Sequence, residues 1–174
     1  MLIAFIERSQ MKQLAIFRRD HFIDGYTGER LFFPGVLLLL GDLFPDAFPK
    51  PSSGEGWRVG KCHWIYWRLW PTVDHVKPVA SGGHPTDETN LVTTSQMINT
   101  AKSAWTGHEV PKQIRFEARS VGEVQAQNWD GMFAWFVDYL DRNPAIRGAS
   151  RELGAWIKTT IKTCEADAKA RSHS

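Results

Sequence analysis

Hydrophobic residues recur along most of this chain at the three- and four-residue spacing of amphipathic helices. The pattern predicts helices over residues 8–20, 31–44, 129–143 and 149–169, while WIYWRLW at 64–70 fits either a helix or a strand. The positions predicted to face inward are Met11, Leu14, Ala15 and Phe17 in the first helix, Met132, Trp135, Phe136, Tyr139 and Leu140 in the third, and Leu153, Trp156, Ile157 and Ile161 in the last.

The stretch PTVDHVKPV, residues 71–79, breaks this helical pattern. Its β-branched residues predict a short strand, which Pro78 ends. The sequence SGGHPTDETN that follows predicts a loop, and residues 91–104 have helical periodicity. That helix could also begin one turn later, with Thr94 or Ser95 as its cap. The predicted order is therefore strand, loop and helix.

Composition indicates a folded protein with one domain, or one domain with a small appendage, since 43% of the 174 residues are hydrophobic and 23% are charged. The net charge of +2 leaves the partner open. Two distant cysteines exclude a disulfide framework and fit a reducing compartment. The N-terminus lacks a signal-peptide pattern, and LFFPGVLLLLGDLF is too short to span a bilayer. We therefore expect a cytoplasmic protein, encoded by a bacterium or phage, with no membrane partner.

Polar residues from these three predicted elements can converge on one point. If the strand packs on the helix, Asp74 and Asn99 can both offer an oxygen to a hard divalent cation that retains several waters. His75 faces the other way along the strand, but at a strand end it can reach a water beside such a cation. The Asn90 side chain can hold the loop near His75, and Lys102 can contact phosphate.

The stretch DHVKPVASGGHPTDETNLVTTSQMINTAKSAW, residues 74–105, resembles the ββα-metal core of the HNH endonucleases. That family pattern has an acid or histidine before a histidine, then proline, a glycine pair, Asn-Leu, and a histidine or asparagine followed after two residues by lysine. These places are filled here by Asp74-His75, Pro78, Gly82-Gly83, Asn90-Leu91, Asn99 and Lys102.

The resemblance implies an α+β fold with a ββα-metal core and with flanking and C-terminal helices. We expect residues 1–110 to form the nuclease domain, with an insert at about 31–70, and residues 111–174 to form a C-terminal helical extension packed on the same domain.

The resemblance also implies a role for each site residue. Asp74 and Asn99 would ligate the metal, His75 would be the general base, and Asn90 would orient the histidine loop. Asparagine in the third motif favours one Mg²⁺ or Mn²⁺ over zinc, because an amide oxygen is a hard ligand.

Cations and further histidines supply the remaining candidates. Lys102 would contact the phosphate of DNA, and Arg18 and Arg19 are candidates for the same role. The two arginines also end a predicted helix, where cations offset the helix dipole without any ligand. His63 and His84 could be extra ligands or proton shuttles, although isolated histidines are more often structural.

One departure from the family concerns its structural zinc. Many members bind zinc through two Cys-x-x-Cys pairs, and here Asp24, Thr27, Ser95 and Ile98 stand in those places. We therefore expect no structural zinc. The packing of the tryptophan-rich flanks and of the insert would supply the missing stabilisation.

These features predict a metal-dependent endonuclease that hydrolyses phosphodiester bonds in DNA, of the phage, restriction or mobile-element kind. The alternative is a catalytically idle nucleic-acid-binding module whose helices over 129–169 recruit a partner. A third hypothesis, a toxin acting on DNA, has no recognisable delivery or immunity segment behind it. A homodimer would make two-strand cleavage easiest, but the sequence locates no interface for it.

Overall fold

The computed structural model describes residues 2–51, 61–102, 128–148 and 150–173. Within these ranges the protein is a mixture of helix and sheet, as the predicted α+β class requires, with six α-helices and one two-stranded antiparallel sheet. The elements are α1 Leu2–Arg19, α2 Pro34–Leu43, α3 Trp64–Leu69, β1 Pro71–His75, β2 Leu91–Ser95, α4 Gln96–Lys102, α5 Phe133–Arg142 and α6 Arg151–Arg171, with 3-10 turns at Val79–Ser81, Glu88–Asn90 and Pro144–Gly148.

The main hydrophobic core joins α1, α2, α5 and α6. Phe33, the residue before α2, lies fully buried at its centre. Its ring packs edge-on against those of Phe22, Phe133, Phe136 and Trp156, with centroid separations between 5.1 and 6.3 Å. Edge-to-face contacts are a favoured aromatic geometry. The N-terminal and C-terminal helices therefore share one core.

The sheet lies beside this core and leads directly into α4. In the antiparallel register Asp74 pairs with Val92 and His75 with Leu91, and α4 begins at the residue after β2. Tyr26 packs with Val92 and Ile98 in a small second cluster between the sheet and α4. The chain thus places two strands and a helix in succession, and the 76–90 segment connects the strands.

The prediction that residues 91–95 begin a helix was wrong, because they form β2. Three of these five residues are β-branched and favour extended backbone. Two buried carboxylates also bind the backbone of the strand. Asp20 accepts a hydrogen bond from Thr93 N, and Asp24 accepts one from Ser95 N, each at 2.8 Å. In a helix these two backbone amide groups would point along the helix axis. In the structure they point outward from the strand, towards the two carboxylates.

The helix start one turn later agrees with the structure. Ser95 Oγ accepts a hydrogen bond from Ile98 N at 3.2 Å and so caps α4. The stretch 64–70 is helical over Trp64–Leu69, and Trp64 at its start is exposed. Ala15 and Trp135 were predicted to face inward in their helices and are exposed.

Other predictions fall at the edges of what is described. The proposed domain boundary after residue 110, and the helix beyond Lys102 to residue 104, lie outside the described residues. Within the described ranges, no helix combines the length and apolar character needed to cross a bilayer.

Candidate active site

Asp74 and His75 are the last two residues of β1, and successive strand residues face opposite sides. Asp74 is 7% exposed and points towards α4, whereas His75 is half-buried. His75 Nε2 lies 3.1 Å from the carbonyl oxygen of Pro85. Because a carbonyl oxygen can only accept, this hydrogen bond places a proton on Nε2. In the neutral ring Nδ1 is then unprotonated.

The Asn90 side chain connects the loop between β1 and β2 to the end of the sheet. Its Oδ1 accepts a hydrogen bond from Lys77 N at 2.8 Å, and its Nδ2 donates to the carbonyl oxygens of Lys77 and His84, both at 3.0 Å. Pro85 directly follows His84, so the Asn90 amide binds the peptide next to the one whose carbonyl contacts His75. Asn90 therefore reaches His75 through the backbone of the loop.

The Asn99 side chain is oriented by a threonine on β1. Thr72 Oγ1 donates to the carbonyl oxygen of Thr94 at 3.2 Å, so its oxygen is left to accept from Asn99 Nδ2 at 3.1 Å. This arrangement directs Asn99 Oδ1 away from Thr72. Thr72 and Asp74 are two residues apart and share one face of β1. The amide of Asn99 and the carboxylate of Asp74 therefore lie on the same side of the strand, beside α4.

The carboxylate of Asp74 has two buried partners. Tyr26 donates its hydroxyl to Oδ2 at 2.6 Å, and Lys102 Nζ lies 2.8 Å from the same oxygen. Lys102 is 2% exposed, so its ammonium points into the protein. Burial, and then the hydrogen bond to Asp74, raise the pKa of the Tyr26 hydroxyl far above its ordinary value. The hydroxyl thus stays protonated as a donor. Contact between Lys102 and phosphate would require the ion pair to open, and it stays a prediction.

The donor set suits a hard cation. Both contacts that the described residues make with the Asp74 carboxylate go to Oδ2, so within that part of the chain Oδ1 is unoccupied, and the Asn99 amide lies on the same side of β1. In the described part of the chain, no three or more His, Cys, Asp or Glu side chains gather where they could hold a metal. The candidate ligands are one carboxylate and one amide. Mg²⁺ is commonly held by so few protein oxygens, with water and phosphate oxygens completing its shell.

Arg19 binds groups of its own chain. Its Nε and Nη2 donate to the Asp20 carboxylate at 2.7 and 2.9 Å, and this pairing raises the pKa of the guanidinium. The remaining contacts go to the carbonyl oxygens of Glu88 and Leu91, at 2.8 and 2.7 Å, which flank Asn90. Arg19 thus secures the base of the loop. Phosphate binding by Arg19 would disrupt this arrangement and stays a prediction.

The other outlying candidates are also engaged within the fold. Arg18 forms a two-pronged ion pair with Asp167 on α6, at 2.9 and 3.3 Å, so its phosphate contact likewise stays a prediction. His63 caps α3, and its side chain accepts a backbone hydrogen bond. His84 Nδ1 accepts from Thr86 N at 3.4 Å in the exposed loop. The structure does not bring His63 to the end of β1.

Asp24 joins the two segments in which the cysteines of the resembled family would stand. Its carboxylate is 0% exposed. Oδ1 accepts from the backbone amides of Tyr26 and Thr27 at 2.9 and 3.1 Å, and Oδ2 accepts from Thr94 Oγ1 and Ser95 N at 3.1 and 2.8 Å. Hydrogen bonds to this one carboxylate therefore link the turn after α1 to β2. They add to the packing that the sequence analysis expected to provide stability.

Sequence reasoning missed three contributors to the site, namely Tyr26, Thr72 and the Pro85 carbonyl. Thr72 had a usable signal, because it stands two residues before Asp74 on a predicted strand and alternate strand residues share a face. Tyr26 is 48 residues from Asp74 and lies in a turn-rich segment, where no periodicity indicates its partner.

Comparison with protein-family models, with curated proteins and with solved structures found no match for this chain.

Proposed function

We propose that this protein is a metal-dependent endonuclease that hydrolyses phosphodiester bonds in DNA, with His75 as the general base. The observation that carries the proposal is the 3.1 Å contact between His75 Nε2 and the Pro85 carbonyl oxygen, directly beside Asp74. A neutral imidazole that donates from Nε2 presents an unprotonated Nδ1 on an accessible strand end. Such a group is suited to remove a proton from water.

Each side chain of the site then has a distinct task. Asp74 and Asn99 would hold Mg²⁺ or Mn²⁺, which when bound supplies charge stabilisation to the scissile phosphate and its leaving oxygen. His75 accepts the proton of the attacking water at Nδ1, while its Nε2 proton remains bonded to the Pro85 carbonyl. Asn90 binds the neighbouring His84 carbonyl oxygen and so supports the loop that carries the Pro85 carbonyl.

Nicking of supercoiled plasmid in Mg²⁺ or Mn²⁺ tests this function. We expect wild type to nick, and His75→Ala and Asp74→Ala to lose at least about 100-fold in rate, the lower range for removal of a general base. His173→Ala, at the exposed C-terminal end of the described chain, is the matched control and should nick like wild type. Equal rates for wild type and His75→Ala, whether both cleave or neither does, would refute the role of His75.

One observation favours the second candidate, an idle nucleic-acid-binding module. The buried pairing of Asp74 with Lys102 and Tyr26 also holds α4 against β1. A binding module without catalytic activity would retain this pairing for its stability. Fluorescence anisotropy with labelled duplex DNA separates the two functions. Tight duplex binding, together with no metal-dependent nicking over a range of substrates, would select the binding module.

A further inference from the structure

The ammonium group of Lys102 lies in a closed polar site made by the chain itself. Its Nζ is 2.8 Å from Asp74 Oδ2 and donates to the carbonyl oxygen of His75, also at 2.8 Å. The same nitrogen stands 5.7 Å from the centroid of the Tyr26 ring, within the range of a cation–π interaction. A carboxylate, a carbonyl and an aromatic face together compensate a cation that has lost its water.

Asp74 is therefore already the partner of one cation. The Tyr26 hydroxyl donates to the same carboxylate oxygen, which leaves Oδ2 saturated. A divalent cation bound at Oδ1 would stand close to the ammonium of Lys102. Like charges repel strongly at short range in a buried site, where water screens them poorly. This carboxylate cannot bind both cations at once without a large loss of affinity for the divalent cation.

The length of the Lys102 side chain allows its ammonium to move away. Its charge sits on a flexible four-carbon stem, which can change rotamer without a change in α4. Asn99, one turn earlier, is held by Thr72 and does not depend on the lysine for its orientation. The ammonium can leave Asp74 while the amide ligand stays in place.

We propose that Lys102 is a built-in counter-ion that occupies Asp74 in the metal-free protein and competes with a divalent cation for that carboxylate. The inference rests on the proposed function in placing the cation at Asp74. It gives Lys102 a role other than phosphate contact. The ion pair compensates the buried carboxylate until the cation arrives, and it sets the cation concentration at which the site fills.

Mn²⁺ binding to the whole chain, measured from the EPR signal of free Mn²⁺, tests the proposal. Lys102→Met removes the charge and keeps the apolar stem, and we expect it to bind Mn²⁺ at least about ten-fold more tightly than wild type. Lys102→Arg keeps the charge and should stay near the wild-type affinity. Asp74→Asn should lose binding in both the wild-type and the Lys102→Met background. Equal or weaker binding by Lys102→Met would overturn the proposal.

If the Lys102→Met variant does not fold, an NMR experiment on the wild-type protein tests the proposal. The ¹⁵N signal of the buried Lys102 ammonium can be identified by its absence from Lys102→Arg. We expect this signal to shift or disappear as Mg²⁺ is added, with the same midpoint as the change in the Asp74 carboxyl ¹³C signal. A Lys102 signal that is unmoved at saturating Mg²⁺ would overturn the competition.

The plasmid assay separates this inference from the proposed function. Tighter Mn²⁺ binding by Lys102→Met, with no nicking by any variant, would support the counter-ion role of Lys102 and refute the proposed nuclease function. Nicking that depends on His75, with unchanged Mn²⁺ affinity in Lys102→Met, would do the reverse.

Discussion

At the scale of single residues, Asp24 shows how a buried charge is accommodated. Three backbone amides and one threonine hydroxyl donate to its two carboxylate oxygens. A buried carboxylate is tolerated only when such donors compensate its lost hydration. Because the donors come from two separate segments, the carboxylate also acts as a cross-link between them.

Asp24→Asn should therefore destabilise the protein strongly. The amide has a single acceptor oxygen, and its NH₂ group would face donors in place of the second oxygen. We expect a loss of about 2–4 kcal/mol in the free energy of unfolding, measured by urea denaturation. Asp138→Asn removes an exposed carboxylate on α5, which pairs with Arg142 one turn away, and should cost less than about 0.5 kcal/mol. Similar losses for the two variants would contradict the cross-linking role.

The sequence indicated part of this residue-scale picture. The order of Asp74, Asn90 and Asn99 along predicted elements was enough to expect them to converge, because strand and helix geometry constrain side-chain directions. One neighbour that completes the site, Tyr26, comes from the turn after α1, and tertiary packing alone brings it there. Tyr26 was therefore beyond what spacing could predict.

At the scale of elements, the loop between β1 and β2 depends on a close backbone approach at Gly83. A Cβ atom at this position would lie 1.9 Å from the carbonyl oxygen of Lys77 and 2.9 Å from Asn90 Nδ2. The first neighbour is a backbone atom and cannot rotate away. Gly83→Ala must therefore displace the chain that Asn90 holds.

We expect Gly83→Ala to lower the free energy of unfolding by about 1–3 kcal/mol and to speed amide hydrogen exchange over residues 77–90. If the proposed function holds, plasmid nicking should fall as well. Gly154→Ala is the matched control, because a Cβ there meets nothing within 4 Å. That change within α6 should stabilise the protein by about 0.5–1 kcal/mol. Wild-type exchange rates in Gly83→Ala would refute the requirement for glycine.

The error over β2 has a physical cause at this same scale. Helical periodicity over residues 91–104 is a local signal, and within the described residues it was correct from Gln96 to Lys102. The first five residues form a strand because they pair with β1, and their outer edge is bound by Asp20 and Asp24, more than 70 residues earlier in the chain. β1, by contrast, carried its own signal in β-branched residues, although it ends at His75, three residues before the proline that was predicted to end it. A strand stabilised by distant side chains cannot be distinguished by periodicity from the start of a helix.

At the scale of the whole molecule, buried tyrosines link stability to pH. Burial is the first cause of the raised pKa of Tyr66, and the same holds for Tyr26. In the unfolded chain both hydroxyls ionise near pH 10. Since the folded-state pKa values are higher, the stability that these groups contribute is complete below about pH 10 and is lost as the pH rises. Each tyrosine should then remove up to about 1.4 kcal/mol per pH unit.

Tyr66→Phe should flatten this alkaline loss by one tyrosine's share. The hydroxyl of Tyr66 donates to the Leu37 carbonyl oxygen at 3.2 Å, so its removal should also cost about 1 kcal/mol near neutral pH. Urea unfolding from neutral pH to about pH 11 measures both effects. Tyr139→Phe changes a half-buried ring on α5 and serves as the control. A wild-type slope in Tyr66→Phe would show that Tyr66 does not cause the alkaline loss.

A two-stranded sheet has two outer edges, and β2 presents one of them to the segment after α1. Thr93 N binds Asp20, Thr93 O accepts from Gly25 N at 2.8 Å, and Ser95 N binds Asp24. An uncovered strand edge is a template on which another chain can add a strand. These contacts therefore hinder another copy of the chain from adding a strand at this edge. Loss of either carboxylate would uncover part of that edge, and we expect copies of the chain to associate there.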